Sequence, residues 1–333
     1  MLEIKFAKLL DTDNIMKFIH NHWKNNHILS IDKDLFLYEY QDKDMINFVI
    51  ATDYKNNIYG ILGFIKSSNN NSDIWAAMWK AIKHDNHPML GVELLEYLRN
   101  SSKYNKLTCS GINTNVIPIY NYLGFYTDSL NQFVIINNKI KTFNILKIKD
   151  AIYSRKLNFI ENTKYSLTEI EENQLNFNFK NDNNSVPCKG KKYFVKRYYN
   201  HPIFKYTVFG IFKEEAISSV IVTREVVVGN SKVLRIMDYL GNENDIVYIS
   251  KYLYRIVIDN DYEYIDFMCY GFNNDNLERA CFTKINLESN DLIVPNYFSP
   301  FLQENIKINF MADTKEIDKL RICKADGDQD RPN

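Results

Sequence analysis

Asn113-Thr114-Asn115-Val116-Ile117-Pro118-Ile119-Tyr120-Asn121-Tyr122-Leu123-Gly124-Phe125 is the stretch whose reading decides the fold. Its Gly124 stands where a short helix over residues 117–123 must end, because glycine adopts the left-handed conformation of a helix C-cap without strain. Just upstream, residues 107–112 (LTCSGI) read as a short strand. Before them, Leu90, Leu94, Leu95 and Leu98 form one apolar stripe at helical spacing. Pro88 suits the first turn of that helix, where its missing N–H is not needed. Residues 74–82 (IWAAMWKAI) are ambiguous by periodicity, but their place between a polar loop and a new helix predicts a strand.

Outward from this block the pattern continues on both sides. Residues 2–7 read as a strand. Asp11 is placed to cap a helix carrying Ile15, Phe18, Ile19 and Trp23. Residues 46–52 and 58–66 are strands joined by the polar hairpin 53–57, and 67–72 is a Ser/Asn loop. Residues 133–137 supply a further strand. The order β-α-β-β-β-α-β-α-β over the first 140 residues predicts an α/β fold of α+β layers, a mixed, mostly antiparallel sheet flanked by helices. Residues 141–188 read as a linker region with one helix, opened by the capping box Ser166-Leu167-Thr168-Glu169; residues 181–184 are a low-complexity loop. Strands at 204–212, 216–228, 233–239, 264–270 and 306–311, with helices at 246–257 and 275–283, repeat most of the first order. The expected division is therefore a domain over 1–140, a second over 189–322, and an acidic tail over 323–333.

The chain has 333 residues, about the length of two ordinary domains. Lysine plus arginine equals aspartate plus glutamate at 41 each, so no global field draws it to nucleic acid or an anionic membrane. No stretch approaches about 18 uncharged apolar residues, and residues 1–19 lack the pattern of a signal peptide. The five cysteines are far apart and form no C-x-x-C pair. Neither a disulfide framework nor a zinc site is expected, which suits the cytoplasm. His20, His22 and His27 do not meet on one helix face, His84-x-x-His87 reads as a phosphate contact or a solvated loop rather than as a metal pair, and no metal is expected.

Residues 74–125 resemble the GNAT acyltransferase superfamily: strand, phosphate loop, helix, strand, then a helix ending in Gly-Phe. The family's loop R/Q-x-x-G-x-G/A corresponds here to residues 84–91, with Gly91 on the last small position, Met89 in place of the earlier glycine and Asn86 in place of the leading Arg/Gln. Asn113 to Phe125 is similar to the family's N-x-x-A-x-x-x-Y-x-x-x-G-F, with Val116 at the alanine position. The resemblance implies acetyl-CoA or another acyl-CoA as donor, held in a splay between two central strands by Met78, Lys80, Asn86, His87, Leu90, Gly91 and Asn113. It also implies that Tyr120 protonates the departing thiolate, a general-acid task for a phenol. By element order the second half resembles a degenerate GNAT-like domain in tandem. Its loop carries Glu243 and Asp245, acids that repel a pyrophosphate at close range.

Other residues invite a role. Asp238 is an acid in an apolar strand, and Arg235, three residues away, points to the opposite face. It reads either as a buried structural carboxylate or as a general base. His201 and Tyr206, with Tyr198 and Tyr199 nearby, suit a sugar or base as well as a packed turn. Asp326 and Asp328, with Asp330, belong to a tail that reads either as solvated or as folded back into an interdomain cleft, its acids binding an amine or a sugar hydroxyl. The expected function is acyl transfer from acyl-CoA to an amine on a small polar acceptor, an amino sugar or nucleotide sugar of surface-polysaccharide assembly. Two alternatives stand beside it: a Fem-type aminoacyl transferase, whose tRNA would meet the basic run Lys189-Gly190-Lys191-Lys192-Tyr193-Phe194-Val195-Lys196-Arg197, and a non-catalytic GNAT-fold binding module.

Overall fold

A computed structural model describes residues 1–67, 73–101, 104–149, 157–175 and 185–332. The polar tracts at 68–72 and 181–184 lie outside the described residues. Two mostly antiparallel sheets dominate. The strands of the first are β1 (Glu3–Lys8), β2 (Met45–Thr52), β3 (Ile58–Lys66), β4 (Ile74–Ala81), β5 (Leu107–Ile112) and β6 (Tyr126–Ser129), with the short strand Gln41–Asp42 beside β2. Both faces are covered, so the strands read as unbroken apolar runs, and alternate residues serve opposite cores. Phe48 and Ile50 pack against α1 (Thr12–His22) and α2 (Lys33–Tyr40). Val49 and Ala51 face α3 (Leu90–Ser101), whose four predicted leucines are all buried. Each leucine side chain removed from water contributes about 1.5–3 kcal/mol. After β5, the helix α4 (Ile117–Tyr122) ends at Gly124, which has φ +82°.

The second sheet contains β7 (Asn131–Ile136), β8 (Tyr165–Glu169), β9 (Thr207–Lys213), β10 (Ala216–Val228), β11 (Ser231–Gly241), β12 (Tyr264–Tyr270) and β13 (Thr283–Lys284). One face packs on a helical segment, α5 (Lys191–Phe194), that continues to Tyr199. The other carries α6 (Ile246–Asp259), with α7 (Asn274–Arg279) beyond it.

Three features differ from the sequence reading. First, the halves exchange strands. β7, expected to finish the first sheet, runs between β12 and β13, while β14 (Asn309–Asp313) runs between β5 and β6. Periodicity identifies a strand but not its partner. Second, the Ser166–Glu169 capping box opens no helix; it lies in β8, paired with β9. Tyr165 and Leu167 alternate toward α6, where Tyr165 stacks on Tyr248 at 4.6 Å, and that packing outweighs the local signal. Third, the acidic tail is not a solvated segment. It adds the two-residue strand β15 (Ile322–Cys323) beside β12, and Lys324, Asp326 and Asp330 are buried.

Buried ions anchor that tail. Lys189 Nζ lies 2.6 Å from Asp238 Oδ1 and 2.7 Å from Asp326 Oδ1. Tyr198 donates its hydroxyl proton to Asp238 Oδ2 at 2.6 Å. Burial opposes the Lys189 charge, but the two carboxylates outweigh it and hold its pKa well above the usual range. Arg235, as expected, turns away from Asp238 and pairs with Asp266 through two hydrogen bonds of 2.9 and 2.6 Å. Replacing Lys189 leaves two carboxylates buried against one another. Lys189→Met is therefore expected to cost about 3–5 kcal/mol, read as a lower urea midpoint.

Candidate functional site

β4 and β5 are parallel neighbours through only two residue pairs, Ile74 with Leu107 and Trp75 with Thr108. Beyond Trp75 they part. Met78 takes a positive φ of 46°, an unusual conformation for a side chain with a Cβ, and it breaks the regular pleat of β4 at the splay. The opening is a cleft of about 400 Å³ lined by Met78 and Trp79 from β4, by Cys109, Ser110 and Gly111 from β5, and by Asn113, Val116 and Tyr120 beyond it. Trp23, His27 and Tyr40 close the side toward α1 and α2, and Tyr297 adds another aromatic wall.

The tail threads this opening. Gly327 packs on Trp75, and the Gln329 side chain fills the space beside Gly111, where a Cβ would come within 1.9 Å of Gln329 Nε2. Asp328 faces the same cleft and accepts a hydrogen bond from the Met78 amide. Burial pushes its carboxyl up to about 6, against the pull of that amide and its own. Tyr120 is buried between Trp79 and Phe125, with ring centroids at 5.4 and 5.7 Å. Burial, then the neighbouring Cys109 and Asp328, raises its hydroxyl above the ordinary range. Burial likewise raises the Cys109 thiol, so it stays protonated. Among the described residues, the Tyr40 hydroxyl, Ser110 Oγ and Gln329 Oε1 are buried around the cleft without a hydrogen-bond partner.

The residues singled out in the sequence separate into groups. Met78, Asn113, Tyr120 and Asp328 meet in the cleft. Asn113 also accepts the Asn115 amide at 2.9 Å and so starts the turn before α4. Lys80, Asn86, His87, Leu90 and Gly91 do not line the cleft; the last four lie at the start of α3. There the Asn86 amide bonds His84 Nδ1, the His87 amide bonds the His84 carbonyl and the Leu90 amide bonds the His87 carbonyl. His87 Nδ1 is 2.7 Å from Glu93 Oε2, and the Leu90 side chain is in the core. Met89 is 56% exposed and does not plug the opening. Asp238 and Asp326 lie in the buried Lys189 cluster rather than on the cleft wall.

His201 and Tyr206 are set further off. His201 lines a neighbouring cavity of about 120 Å³ that shares Arg331 with the cleft. Its Nδ1 accepts the amides of Ile203 and Phe204 at 3.2 and 3.0 Å, so the proton sits on Nε2, 3.2 Å from Glu39 Oε1. Burial and Arg197 lower its pKa to about 4, so the ring is neutral. Tyr206 bonds Asp330 Oδ2 at 3.1 Å.

Several wall residues were missed in the sequence. Gly111, a glycine inside a strand, was the available sign of a close approach by another segment. Trp79, Tyr40 and Gln329 carry no comparable signal. In the run 189–197, Lys189 and Arg197 are buried and Tyr193 and Phe194 are in the core, while Lys191 and Lys192 are exposed.

No protein-family model and no curated protein sequence matches the chain. Among solved structures it matches a GCN5-related N-acetyltransferase from Anabaena variabilis ATCC 29413 with a TM-score of 0.56 at 9% identity, over 94% of this chain and 72% of that one. It also matches a conserved protein of unknown function from Enterococcus faecalis V583 with a TM-score of 0.56 at 7% identity, over 96% of this chain and 73% of that one. At these identities the likeness is one of architecture, and the chain has the GNAT fold.

Proposed function

We propose that this protein is an N-acyltransferase that moves an acyl group from acyl-CoA to the amine of a small polar acceptor. The gap between β4 and β5 carries the reading. A pantetheine arm offers amide groups to unpaired strand backbone, and the orphaned Tyr40, Ser110 and Gln329 atoms are partners of the same kind. Met78, Ser110 and Asn113 are the residues to hold that arm. The start of α3 fits a pyrophosphate less well, since three of its loop amides are already engaged and Glu93 brings negative charge to the first turn. Affinity for the donor then rests mainly on the arm and the acyl chain.

An acyl-CoA supplies the acyl group on a thioester. Tyr120, kept protonated by burial, gives its proton to the leaving sulfur. Asp328, ionised at neutral pH with a carboxyl near 6, takes a proton from the acceptor amine. A covalent route through Cys109 is disfavoured, because a raised thiol pKa suppresses the thiolate. Trp23, Trp79 and Tyr297 offer flat faces to a sugar ring, which supports an amino sugar or nucleotide sugar as acceptor, with a place in surface-polysaccharide assembly.

Acetyl-CoA and longer acyl-CoAs at 1 mM test the donor site by thermal shift. A site with a Kd of about 10 μM gains about 2.7 kcal/mol at this concentration, and the absence of any shift would defeat the proposal. Tyr120→Phe is expected to lower kcat by roughly 10²-fold or more with little change in KM. Because the base works only when ionised, wild-type activity should rise with pH through about 6. Asp328→Asn should lose that acid limb together with roughly 10²-fold of rate. An unchanged pH profile would remove Asp328 from the chemistry.

A further inference from the structure

The cavity beside the cleft has a charge arrangement that the acyl-transfer reading does not use. Its walls join the first sheet's layer, through Tyr38, Glu39 and Lys66, to the helical segment that carries Lys192, Lys196 and Arg197. Two of its cations are matched by acids: Lys66 pairs with Asp42, and Arg331 with Glu39. The other three are not. Among the described residues, no carboxylate forms an ion pair with Lys192, Lys196 or Arg197. Asp330 pairs with Arg224 through its side chain and gives Arg197 only its backbone carbonyl.

Arg197 is the decisive residue. It is 2% exposed, yet its Nε and Nη1 have no hydrogen-bond partner. One face of the guanidinium is covered by the Tyr206 ring at 5.3 Å. A buried guanidinium with unmet donors is costly, and proteins supply such a group with an anion. Lys196 is also short of negative charge: burial, then Lys192, lowers its pKa to about 8 against a smaller pull from Asp42, and its Nζ donates to the Glu39 carbonyl at 3.4 Å.

We infer that this cavity is a seat for a phosphate group, held by the unmet Arg197 donors with Lys192 and Lys196 at its rim. Three unmatched cations suit a dianion better than a monocarboxylate. The planar fork of arginine matches phosphate oxygens, and the two lysines add charge without fixed geometry. A volume of about 120 Å³ admits a phosphate group and little more, so the remainder of a phosphorylated ligand would lie outside or reach past Arg331 toward the cleft. The inference stands apart from acyl transfer and holds whether or not the cleft takes acyl-CoA.

Isothermal titration of the full chain with inorganic phosphate and with glucosamine 6-phosphate, at constant ionic strength set by chloride, tests the seat. Saturable one-to-one binding is expected. Lys192→Gln combined with Lys196→Gln should weaken it roughly tenfold or more, with a cooperative thermal melt showing that the double variant is folded. Tighter binding of the sugar phosphate supports a phosphorylated metabolite as occupant, and equal binding supports the free ion. Absence of saturable binding in the wild type, or equal affinity in the double variant, overturns the assignment.

Discussion

Backbone N–H and C=O groups that leave a sheet must find other partners, and the consequence of that rule at the parting of β4 and β5 organises this molecule. Two residue pairs hold the strands together, and then Met78 turns the chain out of register. The groups released there are met in part by the protein's own carboxyl-terminal segment: Asp328 takes the Met78 amide, and Gln329 fills the hollow at Gly111. Around the cleft, the side-chain atoms Tyr40 Oη, Ser110 Oγ and Gln329 Oε1 stay unmet among the described residues. The chemistry proposed for the protein is an answer to this local deficit of hydrogen bonds.

The second sheet handles the same deficit differently. β11 and β12 are also parallel, through three residue pairs, with Arg235 and Asp266 opposite one another and doubly hydrogen-bonded. Beyond that point β15 pairs with β12 at Cys269 and Tyr270. The acids Glu243 and Asp245 belong to internal contacts: Asp245 accepts the hydroxyls of Ser218 and Ser219, and Glu243 accepts the Asn273 amide. In the second sheet the tail pairs as a strand; in the first it threads the opening and leaves a cleft beside it.

Much of the first sheet was legible because its signals are local. Gly124 after a short helix, four leucines at helical spacing and an apolar run between loop and helix each specify an element from neighbouring residues alone. The exchange of β7 and β14 was not legible, since a strand's pattern shows which face is apolar and nothing about which distant strand will bond to it. The Ser166–Glu169 box misled because a capping signal competes with an alternation whose reward, the stack on Tyr248, lies 82 positions away. The site was half legible. Tyr120 and Asn113 stand in a motif, and Met78 follows from the strand. The tail was the hard part: Asp326, Asp328 and Asp330 look like one repeated acid, yet their partners are Lys189, the Met78 amide and Arg224. Spacing cannot reveal three unrelated partners drawn from across the sequence.

The strand exchange also governs how this chain must come together. β5 is bordered by β14, about 200 positions later, and β12 by β7, more than 120 positions earlier. The first half therefore lacks an internal strand of its sheet until residues 309–313 join it, and the second half depends equally on residues 131–136. Closing such long loops is entropically slow. Severing the chain between the halves would leave each sheet without one of its internal strands.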